Sequence, residues 1–162
     1  GVNFMRTKKA NTRLVTKDVK YGSTLIQHLI NRSMKDGKKS VAQKQVYAAL
    51  DIIAKETKRK APEVLEEALD KIKPKMEVRT RRVGGASYQV PMAVRDLRAR
   101  SLSIRWLVNE ANGRANKQYH SYAEKLAAEI LDALQEQGGA IEKRNTSHRM
   151  AEANKAFSHF RW

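Results

Sequence analysis

The chain has 162 residues, of which 33 are Lys or Arg and 17 are Asp or Glu, a net charge of +16. That length fits one domain, and hydrophobic residues at 41% are enough for a modest core and too many for a disordered chain. The surplus points to a polyanionic partner, nucleic acid before an anionic membrane, since no apolar run approaches the ~18–20 residues of a spanning helix. With no cysteine, disulfides, thiolate catalysis and Cys-ligated zinc are excluded. No signal or transit pattern is evident at the start, so the cytosol is the expected location, with an organelle matrix left open.

Residues 1–20 are basic, with Arg6, Lys8, Lys9, Arg13, Lys17 and Lys20 against Asp18 alone. Such an arm either orders on phosphate or is a frayed terminus. The rest, 21–162, reads as a single helical domain. Ser23 can cap a helix whose apolar face is Leu25, Ile26, Leu29 and Ile30. "KDGKKS" (35–40) breaks it, and Ser40 with Gln43 makes a capping-box pattern ahead of Val46, Leu50 and Ile53. After the basic link Lys58-Arg59-Lys60, Pro62 suits a first helical turn; Val64, Leu65, Ala68, Leu69 and Ile72 form the third stripe, which Pro74 ends. From 76 to 91 the period becomes two around Gly84-Gly85, which predicts a hairpin closed by a two-residue turn, with Pro91 at the end of its second strand.

A long helix is expected over about 92–111, closed by Asn112-Gly113, with Leu97, Ser101, Ile104, Val108 and Ala111 on its buried side. Ser121 and Glu124 form a second capping box, opening a helix through Leu126, Ile130 and Leu134 that Gly138-Gly139 stops. A last helical stretch is expected from about Asn145 to Phe157. The fold class is therefore mainly α: a bundle of about six helices with one protruding β-hairpin inserted after the third.

With Gly84-Gly85 as the loop, Arg79, Arg81 and Tyr88 share one face of the hairpin and Arg82 lies opposite Ser87 on the other. Guanidinium beside a ring suits RNA, by phosphate forking and base stacking; the alternative is a charged edge that merely resists aggregation. An isolated hairpin is marginal in water, so this one is expected to order on a partner. Over 75–105, Lys75, Arg79, Arg81, Arg82, Arg95, Arg98, Arg100 and Arg105 stand against only Glu77 and Asp96. The candidate phosphate contacts are Lys8, Lys9, Lys38, Lys39, Lys75, Arg79, Arg81, Arg82, Arg95, Arg98 and Arg105. Trp106 reads as packing rather than base stacking.

"KDGKKS" lacks the first glycine of a phosphate loop and has Lys39 where that motif needs Ser or Thr, so it reads as a turn with outward lysines. His28, His120, His148 and His159 lack metal-ligand spacing, and no nucleophile elbow or cofactor fingerprint occurs. No catalytic residue, metal, cofactor or small-molecule substrate is expected. The remaining alternatives are a DNA-bending architectural protein, a small RNA-directed enzyme and a protein-interaction module.

"DGKKS" (36–40), "RRVGGASYQVP" (81–91), "IRWLVNEA" (104–111) and "HRMAEANKAFSHFRW" (148–162) occur in this order. Together they resemble the bacterial-type, universally distributed small-subunit ribosomal protein seven family, over about residues 18–162. The resemblance implies a helical, hairpin-bearing protein that binds the ribosomal RNA of the small-subunit head and helps initiate assembly of that head. It also implies a place near the exit-site transfer RNA and the messenger-RNA exit path, beside small-subunit ribosomal protein eleven and other head proteins. On this resemblance the hairpin arginines with Gly84, Gly85, Tyr88 and Gln89 reach RNA, with the "DGKKS" lysines and Arg95 placed similarly. Arg82, His148, Arg149, Asn154, Lys155 and Arg161 face the exit-site region.

Overall fold

A computed structural model describes residues 8–161; Arg6 of the basic arm and Trp162 lie outside the described residues. Among the described residues there are six α-helices, α1 (Thr24–Ser33), α2 (Lys39–Thr57), α3 (Ala61–Ile72), α4 (Asp96–Asn112), α5 (Tyr122–Leu134) and α6 (Gly139–Ala153). Strands β1 (Met76–Val83) and β2 (Ala86–Ala93) follow α3, and a 3₁₀ turn, Lys155–Phe160, follows α6.

The core gathers around α5, which packs against α2, α3 and α4. Leu126, Ala127, Ile130 and Ala133 repeat at helical spacing, so one stripe is sealed against Leu50, Ile53, Leu65, Leu69, Leu107 and Ile141. Each fully buried Leu or Ile contributes roughly 1.5–3 kcal/mol of transfer free energy. Ser23 caps α1 by accepting from Ile26 N–H, and Ser121 caps α5 by accepting from Glu124 N–H. The Glu124 carboxylate reaches back to His120 N–H, one residue beyond the N-cap N–H of the reciprocal capping-box bond.

Five boundaries differ from expectation. α2 begins at Lys39 with Lys38 at the N-cap position, where it makes no side-chain cap, so Ser40 lies inside the helix and caps nothing. Strand β2 continues through Pro91 to Ala93, because in a hairpin with a two-residue loop Pro91 falls at a pair whose N–H points outward, where none is needed. α4 starts at Asp96, after Arg95 in extended conformation, and Gly113 closes it with φ −77°, not left-handed. α5 ends at Leu134, before the glycine pair, while α6 begins at Gly139 rather than near Asn145. The cap of α6 comes from another helix: the buried Glu129 carboxylate of α5 accepts from Ala140 N–H at 2.9 Å.

The buried side of α4 also differs. Ala99, Leu102, Ser103, Ile104, Leu107, Val108 and Ala111 are buried, whereas Leu97 is 81% exposed and Ser101 is exposed. Trp106, partly buried, packs against the core as expected.

Candidate nucleic-acid interface

Gly84 and Gly85, with φ of 57° and 84°, form the hairpin tip and pair Val83 with Ala86, Arg81 with Tyr88 and Arg79 with Val90. That is the register alternation implies, so Arg79, Arg81 and Tyr88 share a face and Arg82 stands opposite Ser87. In this structure the hairpin is fully paired and packed on the helical body. Eight cross-strand pairs are formed, and the hairpin packs on α6 and the 3₁₀ turn. Tyr88 lies 5.2 Å from the Phe157 ring and 4.9 Å from Phe160, centroid to centroid. Ser147 donates to the Met76 carbonyl, and Lys75 N–H donates to His148 Nε2 at 2.9 Å. Burial and the positive charges of Arg144 and Lys75 hold the His148 pKa below its usual 6.5.

The hairpin arginines are not equivalent. The Glu77 side chain, only 10% exposed, takes Arg79 at 3.0 Å and Arg98 at 2.8 Å, which ties the root of the hairpin to α4. Arg81 is half-buried. Arg82 is exposed near the tip beside Gly84 and Gly85. Gln89 donates to Thr80 Oγ1 across the strands at 2.9 Å.

Along the C-terminal segment, Arg149 pairs with Glu142 at 3.0 Å, Lys155 with Glu152 at 3.8 Å, and Asn154 donates to the Met150 carbonyl. His148, Lys155 and Arg161 line one cavity of about 350 Å³ against Met76 and Pro91 of the hairpin root. The fold thus brings the hairpin and the C-terminal residues together, far apart as they are in sequence. Lys38 stands exposed at the N-cap of α2 and Lys39 exposed as its first residue, and Arg95 is exposed just before α4. Lys8 and Lys9 are exposed on the arm, whose inner end is fixed by Asp18. That carboxylate is 2% exposed and accepts from Lys20 N–H, Tyr21 N–H and Tyr47 Oη. Among the described residues, Arg32, Arg82, Arg95, Arg100 and Arg105 form no ion pair.

Sequence reasoning did not single out Arg32 and His28, which face Arg100 and Arg105 across a cleft between α1 and α4. Their only signal is a basic residue on the polar side of α1. Among the described residues no group of His, Cys, Asp or Glu could hold a metal ion, and no helix is long and apolar enough to cross a membrane.

The sequence profile described as ribosomal protein S7p/S5e matches residues 5–155. The chain belongs to that family. It is 50% identical to the small ribosomal subunit protein uS7 of Dichelobacter nodosus over 157 residues, 97% of this chain and 99% of the relative. With the uS7 protein of Carboxydothermus hydrogenoformans it shares 55% identity over 150 residues, 93% and 94% of the two chains. With that of Fervidobacterium nodosum the identity is 48% over 158 residues, 98% and 100%. The S7p/S5e family is structural rather than enzymatic, and a helical body with unpaired arginines on its surface agrees with that.

Proposed function

We propose that this chain is a non-catalytic protein of the small ribosomal subunit, held in the ribosome by direct contact with the RNA of the subunit head. The observation that carries this reading is the set of unpaired arginines on rigid elements, Arg82 exposed on the hairpin, Arg95 and Arg100 exposed at the start of α4 and within it, and Arg105 half-buried on α4. Cations fixed on a folded body neutralise phosphates that RNA folding draws together, and released counterions drive the association. Because the hairpin is already paired and clasped, little of the ~1–2 kcal/mol per residue of backbone ordering remains to be overcome on binding. On this reading the protein helps nucleate the head. The hairpin and the face of His148, Arg149, Asn154, Lys155 and Arg161 look toward exit-site transfer RNA and the messenger-RNA path, beside small-subunit ribosomal protein eleven. The compartment is the cytoplasm or an organelle matrix.

The test is binding to a head-domain ribosomal RNA fragment across a salt series. About 6–10 phosphate contacts lose ~10³–10⁵ in affinity between about 50 and 200 mM salt. Replacing the exposed Arg82, Arg95 and Arg100 with Ala is expected to weaken binding and flatten the salt slope, with melting little changed. Equal affinity for duplex DNA of the same length would instead place the chain among DNA-bending proteins.

A further inference from the structure

The cleft between α1 and α4 has a composition that a purely ionic RNA surface does not need. It encloses about 260 Å³ and is lined by His28 and Arg32 from α1 and by Leu97, Arg100, Ser101, Ile104 and Arg105 from α4. No carboxylate lines it. Asp96, beside Leu97 in the first turn of α4, is paired with Lys73, and Glu66 and Asp70 border a separate depression that shares Arg100. Leu97, in the first turn of α4, is 81% exposed, whereas Ile104, two turns further on, is a core residue only 6% exposed whose edge reaches the cleft. A single exposed leucine is ordinary on a protein surface. A leucine exposed among arginines is less so, because it interrupts a cationic wall with a flat apolar patch and does no packing work in the core.

An apolar wall with fixed cations at its rim matches the two ends of a nucleotide, a base face and a phosphate. At about 260 Å³ the cavity falls just below the ~300–1,000 Å³ usual for small-ligand sites, which suits one nucleotide rather than a helix groove. A paired base in duplex RNA keeps its faces covered by neighbours, so only an unstacked base could use Leu97.

We infer that this cleft seats one unstacked nucleotide of the partner RNA, its base against the exposed Leu97 and its phosphate within reach of Arg32, Arg100 and Arg105. The inference rests on the RNA-binding reading and sharpens it: α4 reads an extruded nucleotide as well as charge. The apolar wall supplies a contribution independent of salt, while the arginines supply one that salt removes.

The experiment uses the full chain, a ten-nucleotide single-stranded RNA and a fully paired RNA duplex of equal length, with fluorescence anisotropy across a salt series. Leu97→Ser is expected to weaken single-strand binding roughly fivefold, leaving the salt slope, duplex affinity and melting unchanged. Arg32→Gln is expected to weaken it by a similar factor and to lower the salt slope by about 0.7. Equal loss for duplex and single strand would overturn the nucleotide seat and leave a plain cationic face. Unchanged single-strand affinity in Leu97→Ser would overturn it as well. A wild-type chain that bound neither RNA would sink the underlying RNA-binding reading, an outcome distinct from both.

Discussion

Arg114, inside the helical body, and Arg82, on the hairpin, carry the same guanidinium into opposite surroundings. Arg114 forks between Glu129, only 2% exposed at its side chain, and Asp132, and also donates to the Tyr119 hydroxyl. Burial opposes its charge, but hydrogen bonds and charges from Asp132 and Glu129 outweigh that and raise its pKa. Glu129 in turn caps α6, so one buried network joins α4's exit, α5 and α6. Arg82 has no ion pair among the described residues and is exposed. Arginine in this protein is structural where two carboxylates surround it and available where none does. Net charge alone does not reveal which. Arg79 and Arg98 fall between the two, since Glu77 anchors both.

Breaking the buried side of this contrast gives the largest effect. Arg114→Ala leaves Glu129 buried without its cation, and losing one partner of a buried pair costs roughly 3–5 kcal/mol. Thermal unfolding followed by circular dichroism is expected to fall by about 6–20 °C. RNA affinity measured well below the transition stays as in wild type. Loss of affinity without loss of stability would erase the distinction between the two arginines.

An intermediate effect is expected at the clasp between hairpin and body. Phe157→Ala with Phe160→Ala removes two ring contacts to Tyr88, each worth roughly 0.5–1.5 kcal/mol. Amide hydrogen exchange in β1 and β2 is then expected to quicken about tenfold or more, while exchange in α5 keeps its wild-type rate. Equal loosening of α5 would show that hairpin and body are one cooperative unit.

The smallest effect is a pH dependence at the hairpin root. The folded pKa of His148 lies below 6.5, so the fold favours the neutral ring that accepts from Lys75 N–H. Its contribution is complete above about pH 6.5 and fades as pH falls through the lowered folded value. An imidazole titration by NMR is expected to show a midpoint under 6.5. A midpoint at or above that value would mean the ring is not held neutral by its neighbours.

Much of the fold was legible locally, because the deciding forces act within a few residues. The caps at Ser23 and Ser121, the stripes of α1, α3 and α5, and the hairpin register around Gly84-Gly85 each follow from short-range periodicity and turn stereochemistry. Local reasoning failed where a partner from elsewhere intervenes. The start of α6 has no cap of its own because Glu129 supplies one, and Ser40 does not cap because the helix has already begun. Leu97 was assigned to the core by periodicity, yet the first turn of α4 has no neighbour over that position.

The sequence alone determined the helical class, the hairpin and its facing residues, the basic character and the family resemblance. Those depend on residue type, spacing and backbone stereochemistry, which every short segment carries with it. Only the tertiary structure decided which arginines are spent on carboxylates and which face outward. It alone also set Tyr88 against Phe157 and Phe160, and opened a cleft between α1 and α4. The physical reason is that ion pairing and burial depend on distance in space, and packing brings Glu77 to Arg98 and Arg32 toward Arg105 across stretches of chain that carry no local mark of it.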